Sequence, residues 1–282
     1  MSGREGHQRW LMRHTRIGPP SLVAGSLTDY DHSVQSAAEE RILEIPDDQI
    51  QVFDADFISD ERLASIESCT ERDFPDGVFS FLDVGGGNGG FTDRLLARFP
   101  QSQGTVLDNA RVLLDRNVPS SRKTLVHGSV EDMETIFGEQ RFDVVFFNFS
   151  LHHFVVPSYR TTRSFQRRAL VASRNLLTPR GRVSVVENLC DGYVPGLSGF
   201  LVFFLTSNKI IAPVVRRLGA NTAGVGVCFR DRHSWRAEME RAGFRVEHFE
   251  PEFYPNSLSR MKQILLLIRD IRGGNFWLAP SA

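Results

Sequence analysis

The residues with the clearest capacity for chemistry lie in one stretch, Phe81-Leu82-Asp83-Val84-Gly85-Gly86-Gly87-Asn88-Gly89-Gly90. An apolar run leads into a glycine-rich turn, and a helical pattern follows. Glycines let the backbone take positive φ and approach a ligand closely. Asp83 places a carboxylate at the strand end, where it can orient the turn and meet a cationic group. A second apolar run, Thr105-Val106-Leu107, ends in Asp108. Its two oxygens could accept hydrogen bonds from a pair of sugar hydroxyls, or cap the helical segment that follows Asn109-Ala110. His152 and His153 carry imidazoles that titrate near neutrality, so either could act as a base, or the pair could simply bond its own loop. Glu187, at the end of a later apolar run, is either a further base or a solvated strand-end charge.

The glycine string satisfies two patterns. Gly85, Gly87 and Gly90 fit the dinucleotide fingerprint G-x-G-x-x-G. Asp83, Gly85, Gly87 and Gly89 resemble motif I, (D/E)-x-G-x-G-x-G, of the class I S-adenosylmethionine-dependent methyltransferases. Three features favour the second. Asp83 could hold the ammonium of a methionine moiety, directly or through water, and would repel a pyrophosphate. About eighty residues precede the strand, whereas dinucleotide folds commonly begin with it. Two late apolar runs, Phe244–Phe249 and Ile264–Ile268, resemble the methyltransferases' antiparallel terminal pair.

Further segments carry the resemblance. Phe142-Asp143-Val144 through Leu151-His152-His153 is similar to the family's FDxVxxxxxLHH, and Leu177-Thr178-Pro179-Arg180-Gly181 resembles its L-x-P-G-G turn. The resemblance implies S-adenosylmethionine as cofactor, with Asp108 on the ribose and Asn148 at the end of strand four beside the ligand. His127-Gly128-Ser129-Val130-Glu131-Asp132 resembles the G-D-x-(E/D) segment that lines the adenine. Ser129 replaces the usual Asp, so Glu131, Asp132 or the Val130 backbone could meet the adenine amine instead. A capping box from Ser129 to Asp132 is the structural alternative. Strand four lacks the (D/N/S)-P-P-(F/Y) of amino-methylating nucleic-acid enzymes. A dehydrogenase using NAD and a non-catalytic S-adenosylmethionine-binding protein are the competing classes.

The elements that must position these residues follow from periodicity. Apolar runs at 78–84, 104–107, 124–127, 142–147 and 182–186 alternate with helical segments at 90–98, 110–116, 131–137 and 163–177, which implies right-handed βαβ units. A helical pattern over 31–43 ends at Pro46-Asp47-Asp48, and a helix capped by Ser59 or Asp60 follows. With the resemblance, the expected fold is α/β. It is a Rossmann-like seven-stranded mixed sheet of order 3-2-1-4-5-7-6, helices on both faces, capped by the N-terminal arm and an insert. The expected organisation is an arm and helical lid (1–77), a cofactor-binding core (78–187), a substrate-cap insert (188–229) and the C-terminal part of the sheet (230–282).

Composition sets the outer bounds. The 282 residues are 41% hydrophobic and 24% charged, with a formal net charge of −1. Such a chain can bury a full core, but it offers no broad basic field for nucleic acid. Three scattered cysteines argue against a disulfide framework or a metal site. No apolar run suggests a signal peptide or a bilayer span, so the expectation is a cytoplasmic protein without membrane partners, monomeric or homodimeric. The chain holds 22 Phe against four Tyr and three Trp. Phe200, Phe203 and Phe204 in the insert, with Tyr30 in the arm, are the expected contacts for a small apolar or aromatic specialised metabolite. Carbon methylation is the first expectation, since aromatic faces can stabilise its cationic intermediate, with O- and N-methylation as alternatives.

Overall fold

The structure is a computed structural model that describes residues 41–50, 59–252 and 258–281. Its seven strands form one sheet in the order β3-β2-β1-β4-β5-β7-β6. The parallel strands are β1 (Ser80–Val84), β2 (Gln103–Asp108), β3 (Lys123–His127), β4 (Phe142–Asn148) and β5 (Leu177–Gly192). β7 (Ile268–Pro280) lies antiparallel to β5 on one side and to β6 (Phe244–Glu252) on the other. The helices are α1 (Asp47–Ile50), α2 (Asp60–Asp73), α3 (Gly90–Arg98), α4 (Arg111–Leu114), α5 (Met133–Phe137), α6 (Tyr159–Asn175), α7 (Leu197–Ser207), α8 (Ala212–Arg217), α9 (Arg232–Arg241) and α10 (Arg260–Leu265).

Alternation along the central strands feeds two cores. Successive side chains of a strand point to opposite faces. Leu82, Val145 and Phe147 therefore join Leu170, Trp235 and Met239 on one face. Phe81, Val144 and Phe146 join Ile66, Leu95 and Trp277 on the other. Both faces are covered, as the nearly continuous apolar strands require. Ser59 caps α2 by accepting from the Arg62 amide at 3.2 Å.

Several expectations need correction. The last strand begins at Ile268, and residues 260–265 form α10. The run from Ile264 to Ile268 is too short for periodicity to separate helix from strand. The position between β5 and β6 is nonetheless filled as the expected order requires. β5 continues past Glu187 to Gly192 because β7 pairs with it as far as Gly192↔Ile268, so the proposed boundary at 187/188 falls inside a strand. Within the segment assigned to a lid, α2 is a core-layer helix: Leu63, Ile66 and Cys69 pack beneath the sheet. Pro46 does not end a helix; α1 follows it, and residues 41–43 are not helical. The rest of the expected 31–43 helix, and Tyr30, lie outside the described residues.

Candidate active site

The C-terminal ends of β1, β2, β4 and β5 meet at one edge of the parallel sheet, where open α/β sheets hold ligands. After β1 the chain turns through Gly85 (φ 73°) and Gly87 (φ 53°) into α3. Gly86 is tight for another reason: a Cβ there would lie 2.5 Å from Asp83 Oδ2. Asp83 is buried and accepts from Thr92 Oγ1 at 2.9 Å, with Asn148 Nδ2 at 3.5 Å. Burial pushes its carboxyl up to about 7, against the pull of those two donors. At the end of β2, Asp108 Oδ2 accepts from the Gly87 amide at 2.9 Å and Oδ1 from the Ala110 amide at 2.7 Å. Burial raises its pKa, opposed by these backbone donors. The carboxylate thus fixes the glycine turn, and each oxygen keeps a second lone pair.

The two histidines differ sharply. After β4 the chain makes a 3₁₀ turn, Leu151–His153, which the β4–β5 register (Asn148↔Val186) sets beside Glu187. His152 Nδ1 lies 2.6 Å from Glu187 Oε2, and the His152 amide donates to Oε1 at 3.2 Å. Both side chains are buried. Glu187 is therefore not a solvated charge; its carboxylate meets the imidazole. In the tautomer that donates Nδ1–H to the carboxylate, Nε2 carries the free lone pair. Burial, helped by neighbouring His152, drives the pKa of His153 well below the ordinary value. Phe229 packs tilted against the His152 ring at 4.8 Å between centroids, and the Cys228 amide donates to the His152 carbonyl at 2.9 Å.

These elements enclose a cavity of about 440 Å³, within the usual range for a small-molecule site. Asp83, Gly85, Gly87, Asp108, Asn148, His152 and His153 line it. Other expected contacts do not. Gly89 starts α3 with φ 75°, and a Cβ there would collide with the Asn117 side chain, so its role is in the turn itself. Ser129 makes no capping bond, which removes the capping-box alternative; Val130 is core; and Glu131 Oε2 accepts from the Ile42 amide at 3.1 Å. Phe200 and Phe204 are exposed, and Phe203 packs against Val155 and Cys228. None of the three reaches the cavity, because α7 turns them elsewhere.

Sequence reasoning missed Arg62 and Phe149, which also line it. Phe149 has φ 54°, an uncommon value outside glycine, and its ring lies 4.3 Å beneath the Arg62 guanidinium. Glu252 holds Arg62 through Nε at 2.6 Å. The one local signal was a charge on the apolar face of α2, four residues before Ile66.

The donor set fits an aminoacyl sulfonium ligand. Asn148 Oδ1 is a buried acceptor with no hydrogen-bond partner among the described residues, and it stands beside the Asp83 carboxylate. Together they suit an ammonium, while Asp108 keeps acceptor lone pairs on the same cavity wall. A family model described as a methyltransferase domain matches residues 30–249, more than half of the chain. The chain belongs to the methyltransferase-domain family. The family's domain is the kind that takes S-adenosylmethionine as cofactor. No curated protein matches the chain. Among solved structures, this methyltransferase is similar to a methyltransferase of calicheamicin biosynthesis in its S-adenosylhomocysteine-bound form. The identity is 18% and the TM-score 0.46, with 78% of this chain and 56% of that one covered. The mitomycin 7-O-methyltransferase MmcR gives 20% identity and TM-score 0.47, covering 90% and 67%. The [4+2]-cyclase SpnF gives 14% and 0.52, covering 78% and 82%. The chain thus spans little more than half the length of the first of these.

Proposed function

We propose that the protein transfers the methyl group of S-adenosylmethionine to a hydroxyl oxygen of a small, largely apolar metabolite. The observation that carries this reading is His152 on the cavity wall, its Nδ1 held 2.6 Å from Oε2 of the buried Glu187. An alcohol or phenol must lose its proton as it is alkylated, and a base fixed by a carboxylate meets that need. When bound, the cofactor supplies an electrophilic methyl carbon on a sulfonium. His152 takes the acceptor's proton on Nε2, and Glu187 stabilises the imidazolium that forms. With the cofactor bound, the acceptor oxygen would take the methyl carbon as the carbon–sulfur bond gave its electrons to sulfur, with His152 holding the displaced proton. Asp83 and Asn148 hold the ammonium, Asp108 the ribose, and the glycine turn allows close approach; Glu131 acts by tying down Ile42 rather than by touching the adenine.

The expectation of carbon methylation rested on the Phe-rich insert as a pocket wall. Phe200, Phe203 and Phe204 lie away from the cavity, so that support falls. The insert's role in this reading is to buttress His152 through Cys228 and Phe229. The apolar wall is supplied instead by Ile42, Leu43, Ile45, Ile50 and Phe154. The test is turnover of methyl-labelled cofactor on a panel of apolar phenols and alcohols, with mass-spectrometric location of the label. His152→Ala should lower kcat by about 10²–10⁴, the usual worth of a general base, with cofactor affinity retained. A label found on carbon, or an unchanged kcat in His152→Ala, would overturn the assignment.

A further inference from the structure

Two short helices bury none of their residues and turn apolar side chains outward. α10 shows Met261, Ile264 and Leu265, the i, i+3, i+4 positions of one helix face, at 78%, 74% and 66% exposure. Alongside α8 stand Ile210, Val214 and Leu218, four apart, with Ile210 at 90%. The two are joined: Lys262 Nζ donates to the Leu218 carbonyl at 2.6 Å. Exposed Tyr193 and Val194 adjoin them, since the Tyr193 amide donates to the Leu267 carbonyl at 3.0 Å. An apolar stripe ordinarily faces a core, and grouped exposed stripes mark an interaction surface.

Charge selects the occupant. Residues 192–230 contain no aspartate or glutamate, and neither do residues 258–269. The charges that the two segments place on the surface are cationic: Lys209, Arg217 and Arg260 are exposed beside the stripes, with Lys262 between them. The carboxylates that flank the two segments are engaged: Asp191 and Asp270 pair with Arg269 and Arg272, and Asp231 accepts from the Ser234 amide and hydroxyl. A second copy seated by a twofold axis would set this cationic surface against itself. Apolar side chains fringed by lysine and arginine, with no carboxylate, match the headgroup layer of an anionic bilayer.

We propose that α8, α10 and the Tyr193–Val194 turn form a docking surface for an anionic lipid membrane. No helix among the described residues is long and apolar enough to cross a bilayer, and surface docking needs none. The inference is independent of the methyl acceptor and revises the expectation that the protein has no membrane partner.

The test is co-sedimentation of the full chain with vesicles of phosphatidylcholine alone and of phosphatidylcholine mixed with phosphatidylserine. Binding is expected on the mixed vesicles, weakening as salt rises. The variant Met261→Ser/Ile264→Ser/Leu265→Ser and the variant Lys209→Glu/Arg217→Glu/Arg260→Glu should each lower the partition coefficient about tenfold or more. Cofactor affinity by calorimetry should stay unchanged in both, which shows that they remain folded. Equal binding to both vesicle types, no binding to either, or full binding by both variants would overturn the proposal. So would a dimer in solution that the α10 variant dissociates, since the surface would then belong to a second copy.

Discussion

At the residue scale the site depends on carboxyl groups placed in unlike surroundings. Asp83 is held at about 7 by burial, from an ordinary 3.8. Between those values the folded chain binds more protons than the unfolded one, so this group's contribution to stability falls as pH rises through the window and is gone above about 7. An ammonium beside Asp83 favours the ionised form instead. Cofactor affinity should therefore strengthen as pH rises towards 7, with proton release on binding. Calorimetry in buffers of different ionisation enthalpy reads both effects, and Asp83→Asn should abolish them; pH-independent affinity in the unsubstituted protein would count against the ammonium contact. Asp108→Ala should weaken cofactor binding by about 1.5–3 kcal/mol, the range for hydrogen bonds to a charged group. Unchanged affinity would remove Asp108 from the ribose. Glu187 acts through His152, so Glu187→Gln should lower kcat while leaving KM and cofactor affinity near their original values.

At the scale of elements, the turn between β1 and α3 sets the backbone at the cavity edge. Two of its glycines should fail in different ways. Gly89→Ala forces a left-handed conformation and displaces Asn117, whose Nδ2 donates to the Gly87 carbonyl at 2.8 Å. It should cost about 1–3 kcal/mol of stability, measured by urea denaturation. Gly86→Ala instead pushes on the Asp83 carboxylate, with Val106 Cγ1 3.0 Å away on another side. Its chief effect should be on cofactor affinity. If the two variants proved interchangeable in both measurements, this division of roles would be wrong.

At the scale of the whole molecule, a chain of polar contacts runs from the buried Glu238–Arg230 pair to the Leu151–His153 turn. Glu238 is buried and pairs with Arg163, Arg167 and Arg230 at 3.4 Å each, and with Arg241 at 2.9 Å. Arg230 in turn donates to Gln166 Oε1 at 2.6 Å, and Gln166 Nε2 donates to the Leu151 carbonyl at 2.8 Å, next to His152. Burial lowers the pKa of Arg230, yet its carboxylate partner keeps the charge in place. Glu238→Gln would leave that guanidinium buried without an anion. Its expected cost is about 3–5 kcal/mol in urea denaturation, where a shift below 1 kcal/mol would show the cluster to be solvent-screened.

The sequence by itself determined what is local. Asp83 and the glycines announced the turn, and the apolar runs placed β1, β2 and β4 to within a residue or two, because buried parallel strands need continuous apolar side chains; β3, at the sheet edge, is largely exposed. Family resemblance then ordered the sheet. Tertiary structure decided whatever depends on register and on contacts distant in sequence. His152 and Glu187 stood in the sequence as separate candidates, and only the β4–β5 register makes them a pair. Arg62 meets Glu252 across 190 positions, and no periodicity encodes that contact. The phenylalanines of α7 read as a pocket wall because composition reports apolarity without direction. The rotation of the helix on the sheet then chose which rings face inward, by the fit of neighbouring side chains.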